Sequence, residues 1–182
     1  MLTTTWTTTR TTIPPLDILT HEAVDGSVAG YDGTAIAALP DGRVVIAVAK
    51  LGDIVLLYQD TNGVSEEAVV GAAARPRLRA DASGGLHLAF ENQLRRNIGY
   101  ATNASGSWIV RDVNAPGGRG REPELELDGS GNAHLLWNDQ VGSTLVYSTL
   151  RGETWEPFNL PGPSRAERRS LAMDPSGYPH VA

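Results

Sequence analysis

A repeat constrains this chain more than any other feature. "DASGGLHLAF" (81–90) and "DGSGNAHLLW" (128–137) share an Asp, a Ser-Gly and a His, and a third copy, "DPSGYPHVA", spans 174–182. Asp81 and Asp128 are 47 residues apart, and Asp128 and Asp174 are 46 apart; the same intervals relate His87, His134 and His180. Pro76 pairs with Pro123, Leu78 with Leu125, Tyr100 with Tyr147 and Trp108 with Trp155, all at 47. So many landmarks on one spacing mark a tandem structural unit. A more divergent copy appears when Gly42 is set on Gly84. "AIAALPDGRVVIAVA" (35–49) then lies over the second unit and Tyr58 falls on Tyr100, both offset by 42. In that copy Leu39 replaces the Asp and Val45 the His. Trp6, in "TTTWTTTRTT", matches the surroundings of Trp155 in "GETWEPFNL".

Within a unit the pattern is all β. "PRLRAD" and "PELELD" alternate apolar and polar residues and then break at a Ser-Gly turn. "GLHLAF" and "NAHLLW" form the second strand of a hairpin, "NIGYAT" and "TLVYST" the third, and Trp108 or Trp155 opens the fourth. Four short strands in a unit of about 45 residues are the pattern of a β-propeller blade. The 20 glycines and 11 prolines suit many tight turns, and 182 residues suffice for one domain with a sizeable core. The expected fold is therefore an all-β propeller with units near 33–74, 75–121 and 122–168, plus a split fourth made of 169–182 and 1–13.

"YATNASGSWIVRDV" (100–113) and "YSTLRGETWEPFNL" (147–160) resemble the Asp-box, or bacterial neuraminidase repeat. Ser148, Gly152 and Trp155 keep its spacing, with Leu150 in place of the acid; the other copy has Asn103 and Trp108 in place and its glycine displaced to Gly106. The resemblance implies sialidase-like propeller blades, a family whose members are commonly extracellular. It is specific for the blade and not for an activity, because such blades serve enzymes, lectins and scaffolds alike. Sialidase chemistry would need an arginine cluster, a Tyr nucleophile with a Glu base, and an acid. The Phe-Arg-Ile-Pro signature of that family is absent, and "ARPRL" (74–78) is a faint echo of it.

Other classes are excluded more simply. A net charge of −6 gives no electrostatic footprint for nucleic acid or an anionic membrane. With no cysteine there is neither a disulfide framework nor a thiolate metal site. No apolar run approaches a membrane span, and "MLTTTWTTTRTT" does not read as a signal peptide. No cofactor is expected.

The repeated polar residues read best as structure. His87, His134 and His180 could be imagined as three metal ligands, but Val45 holds the same place in the first unit, which favours a capping or packing role and no metal site. Asp81, Asp128 and Asp174 precede hairpin turns, where a carboxylate accepts backbone N–H groups, and Gly84, Gly131 and Gly177 are expected to supply positive φ. Tyr100, Tyr147, Trp6, Trp108 and Trp155 are expected to plug each blade's outer hairpin. Arg77 and Arg79 align with Glu124 and Glu126, so Arg–Glu contacts are expected between 75–80 and 122–127.

Candidate ligand-binding residues lie in the loops. Glu91 and Asn92, in "ENQ", and Asn138 and Asp139, in "NDQ", follow equivalent second strands, and their amides and carboxylates suit sugar hydroxyls. Arg75 and Arg121 belong to a group with Arg119, Arg165, Arg168 and Arg169 near the starts of first strands. The reading is a non-enzymatic ligand-binding or scaffold module, with a glycan as candidate ligand and no catalytic residue assigned. A degenerate sialidase-like glycoside hydrolase and a purely structural self-assembling fragment are the alternatives. Joining the last hairpin to the first strand leaves out the equivalent of residues 90–102. A small closed ring, a ring shared by two chains and a piece of a longer propeller all remain open, with a homo-oligomer favoured.

Overall fold

In a computed structural model, residues 33–60, 63–113, 119–161 and 169–182 are described. Alternation of apolar and polar residues, broken every few positions by a turn signal, produces three antiparallel meanders. The first sheet holds β1 (Thr34–Ala38), β2 (Val44–Lys50), β3 (Asp53–Asp60) and β4 (Gly63–Val70). The second holds β5 (Ala73–Ala80), β6 (Leu86–Asn92), β7 (Asn97–Thr102) and β8 (Ile109–Asp112). The third holds β9 (Gly120–Leu127), β10 (Ala133–Asp139), β11 (Thr144–Arg151) and β12 (Thr154–Leu160). A fourth, two-stranded sheet pairs β13 (Leu171–Met173) with β14 (Pro179–Val181). Among the described residues there is no helix. Residues 1–13, assigned to a split fourth unit, lie outside the described residues, as do Trp6, Arg165 and Arg168.

The β5 and β9 strands begin earlier than the sequence pattern suggests. Pro76 and Pro123 look like starting points because proline cannot donate to a ladder. The chain passes through both by a bulge. The register of β5 on β6 shifts between Ala74 and Arg77, and that of β9 on β10 shifts opposite Leu136 and Asn138. Arg75 (φ 51°) and Glu122 (φ 54°) carry the left-handed backbone at these bulges, 47 residues apart. An irregularity kept in the same place in two units is a designed bend.

The sheets meet through their first strands. β5 lies against β1, β2 and β3; β9 lies against β5, β6 and β7; β13 lies against β9. Alternate residues of β6 therefore serve two cores. Leu86, Leu88 and Phe90 join Val45, Ala47, Ile54, Leu56 and Leu78 between the first and second sheets. Ala89 joins Ile98, Tyr100, Leu125, Leu135, Trp137 and Trp155 between the second and third. Close stacking needs small residues in places: a Cβ on Gly99 would come within 2.3 Å of the Phe90 ring.

The expected Arg–Glu contacts form at the second of these junctions. Arg77 makes a two-pronged pair with Glu124 (Nε–Oε2 3.1 Å, Nη2–Oε1 3.0 Å). Arg79 does the same with Glu126 (3.1 and 2.6 Å). These groups are partly exposed, so each pair contributes about 0–1 kcal/mol; the fork geometry fixes which strand meets which.

Leu78 is fully buried at the first junction. Leu78→Ala is expected to cost about 2–5 kcal/mol by leaving a cavity, whereas Leu94→Ala, at an exposed turn residue, should change stability by less than about 0.5 kcal/mol. Urea unfolding midpoints of the two variants test the difference.

Candidate functional site

The repeated Asp, His and Tyr come together in the second and third units. Asp81 Oδ1 accepts the N–H groups of Ser83 (2.8 Å) and Gly85 (2.9 Å) and the Ser83 hydroxyl (2.7 Å), which closes the β5–β6 hairpin. Asp128 does this with Ser130 and Asn132, and Asp174 with Ser176 and Tyr178. Gly84, Gly131 and Gly177 have φ of 88°, 82° and 83°, the backbone a non-glycine residue avoids. The other oxygen of Asp81 faces His87 Nε2 at 3.2 Å, and His87 Nδ1 meets the Tyr100 hydroxyl at 2.5 Å. A carboxylate only accepts, so Nε2 carries the proton and Nδ1 receives the one from Tyr100. Tyr147 reaches His134 Nδ1 at 2.6 Å, while His134 Nε2 stands 3.5 Å from Asp128 without hydrogen-bond alignment.

These contacts set the ionisation of the groups. Burial opposes the charge on Asp81, but the hydrogen bonds from Ser83, His87 and Gly85 outweigh it and hold the carboxyl at about 2. Asp128 and Asp174 are lowered in the same sense. Burial pushes the Tyr100 hydroxyl up to about 12 and raises Tyr147 as well.

The first unit solves the same problem differently. With Leu39 and Val45 in place of Asp and His, the Tyr58 hydroxyl turns to Glu67 on β4 (2.6 Å). The other Glu67 oxygen takes the indole N–H of Trp108 from the next unit (2.9 Å). At the following junction Trp155 packs edge-on against Tyr100, with centroids 5.1 Å apart. Trp108 and Trp155 thus reach the preceding unit instead of plugging their own unit's outer hairpin as expected, whereas Tyr147 meets His134 within its own unit. Composition hinted at this: Glu67 occurs in the one unit that lacks both the Asp and the His.

The six residues singled out as ligand contacts lie at one end of the second and third sheets. There β5 and β9 begin and β6 and β10 finish, with Ala73 opposite Asn92 and Gly120 opposite Asp139. Four of the six join one network. Glu91, only 5% exposed, accepts Arg75 Nη1 (3.2 Å), Arg121 Nη1 (3.3 Å) and the Glu122 N–H (2.6 Å). Glu122 in turn receives Arg75 (3.4 Å), the Asn138 amide (3.3 Å) and Arg169 (3.2 Å). Arg169 also donates to the Glu122 carbonyl oxygen, which ties β13 to β9. Asn92 and Asp139 instead close turns: Asn92 accepts the Arg95 N–H (3.0 Å) and Asp139 those of Val141 (3.0 Å) and Gly142 (3.3 Å).

Sequence reasoning placed Glu91 in an exposed loop and did not single out Glu122, whose N–H Glu91 accepts, or the pairing of Arg169 with Glu122. Glu122 is the bulge residue before Pro123, and that dipeptide was the available signal. Among the described residues no three His, Asp or Glu side chains are grouped so that they could hold a metal ion. No protein-family model matches the chain, and no curated protein matches it.

Two outcomes follow from this geometry. A carboxyl lowered from 3.8 to about 2 stabilises the fold above its unfolded value and loses that contribution as pH falls through its folded value. Asp81→Asn should therefore flatten the acid limb of a stability profile between pH about 4 and about 2; an unchanged limb would contradict the assignment. Glu91→Ala leaves two arginines and a backbone N–H without their shared acceptor. It should cost about 3 kcal/mol, against a fraction of that for Glu153→Ala, an exposed partner of Arg111, in the same denaturant titration.

Proposed function

We propose that the chain is a propeller-type array of blades of the Asp-box kind, serving as a non-enzymatic binding module for a polar ligand, with a glycan first in line. The observation that carries this reading is the network at the strand-start end. Arg75 and Arg121 are anchored to a buried Glu91 yet keep 38% and 49% of their side chains exposed, and Glu122 keeps 45%. Donors and acceptors held in fixed positions but wet suit the hydroxyls of a sugar. Asn92, Asn138 and Asp139 add amides and a carboxylate at the same end. The order of first strands, each against the next, supports the blade array.

Binding is favoured over hydrolysis because the repeat tyrosines are packed into the sheets: Tyr100 is 2% exposed, and the glutamate that meets Tyr58 is shared with the Trp108 indole N–H. Tyr58, Tyr100 and Tyr147 each engage their hydroxyl with Glu67, His87 or His134, and each is raised, chiefly by burial. A raised phenol is less readily activated than a free one.

A glycan array followed by titration calorimetry tests the proposal. Arg121→Ala and Asn138→Ala are each expected to weaken the best ligand by about tenfold or more with an unchanged circular dichroism spectrum. No ligand at millimolar concentration would overturn it. Turnover of a fluorogenic sialoside that disappears in Tyr147→Phe would establish the enzymatic reading instead.

A further inference from the structure

The network at the strand-start end is rich in charge, and that charge is already matched from within. Glu91 holds Arg75 Nη1 at 3.2 Å and Arg121 Nη1 at 3.3 Å, and Glu122 also holds Arg75 Nη1, at 3.4 Å. Arg169, with 3% of its side chain exposed, is held by Glu122 at 3.2 Å and donates to the backbone carbonyls of Arg121 and Glu122. Each of these guanidiniums therefore has a carboxylate of the protein within hydrogen-bond reach, and two of them share Glu91.

Acidic and neutral sugars meet this arrangement differently. An acidic sugar brings a carboxylate, which only accepts hydrogen bonds and needs a cation. On Arg121 it would stand one guanidinium away from Glu91, and on Arg75 one guanidinium away from both Glu91 and Glu122. Like charges that close oppose one another. Glu91 cannot step aside cheaply, because it is buried and also holds the Glu122 N–H at 2.6 Å.

A hydroxyl carries no charge and both donates and accepts. The wet groups of the network suit it, since Arg121 is a donor with 49% of its side chain exposed and Glu122 an acceptor with 45%. A sugar hydroxyl can accept from the first and donate to the second with every ion pair left in place.

Resting on the reading of this end as a ligand site, we propose that its ligands are neutral saccharides, and that Glu91 and Glu122 turn away sugars bearing a carboxylate. The arginines here are frame for the site, and the discriminating groups are the two glutamates behind them.

The probes are neutral gluco- and galacto-oligosaccharides and the same chains carrying glucuronic, galacturonic or sialic acid, titrated into the full chain. Neutral members are expected to bind, and their acidic counterparts to bind at least about tenfold more weakly. Affinity for the neutral members should change by less than about twofold between about 0.05 and 0.5 M salt, because no ion pair forms on binding. Glu122→Gln keeps the shape of the side chain and removes one negative charge, so it should narrow the gap between neutral and acidic members. An acidic member that binds as tightly as its neutral counterpart would overturn the ligand class and leave the binding reading standing. So would a steep loss of neutral binding with salt, or a gap that Glu122→Gln leaves unchanged in a folded variant. If no saccharide binds, neutral or acidic, the binding reading falls and the ligand class falls with it.

Discussion

A sheet with two apolar faces cannot fold alone, and everything else in this molecule follows from that constraint. β6 is buried along nearly its whole length, with alternate residues pointing into different cores. Neither core belongs to one unit. Leu78 completes the core of the first sheet and Leu125 that of the second, so stability resides at junctions between neighbours. The units are short because each is one layer of a stack, and the stack supplies the depth that a single four-stranded sheet lacks.

Close stacking raises a second problem, the burial of polar atoms that a strand sequence cannot avoid. Tyr58 and Tyr100 of the third strands lie at the junctions, and their hydroxyls, like that of Tyr147, need an acceptor. Two units supply a histidine, and in the second unit that histidine is itself held by the aspartate that closes the hairpin. The first supplies a glutamate on the fourth strand, which serves the next unit's indole as well. One solution links turn to strand within a unit and the other links unit to unit. The loss of Asp and His in the first unit is thus the substitution of one acceptor by another and not decay of the pattern.

Much of this was legible in the sequence. The period located the strands, the Asp-x-Ser-Gly turns and the alignment of Arg77 with Glu124, because a repeat exposes each position several times and averages out local ambiguity. The bulges were not legible. Pro76 and Pro123 read as strand starts, and only the pairing partners on β6 and β10 show that the ladder resumes beyond them. Glu91 was misplaced for a related reason. Its surroundings in sequence are polar, but the bulge swings Arg75 and Glu122 over it and removes it from solvent. Asn92 and Asp139 sit one position farther along, where the strand gives way to a turn, and their side chains fold back on the backbone. Adjacent residues with similar chemistry therefore meet different fates, decided by a bend two strands away.

The ladder between β5 and β9 also bears on how the chain reaches this state. In an array of similar units the wrong neighbour is always at hand while the chain is still open, and misassembly is the characteristic failure of such proteins. Two copies of the second sheet brought together would set Arg77 and Arg79 against their own kind, and two of the third would do the same with Glu124 and Glu126. Only the ordered encounter satisfies both sets. Pairs that add little to the depth of the native well can still raise the energy of its competitors. The arginines and glutamates thus set the second sheet apart from the third by charge, although the two share one strand pattern.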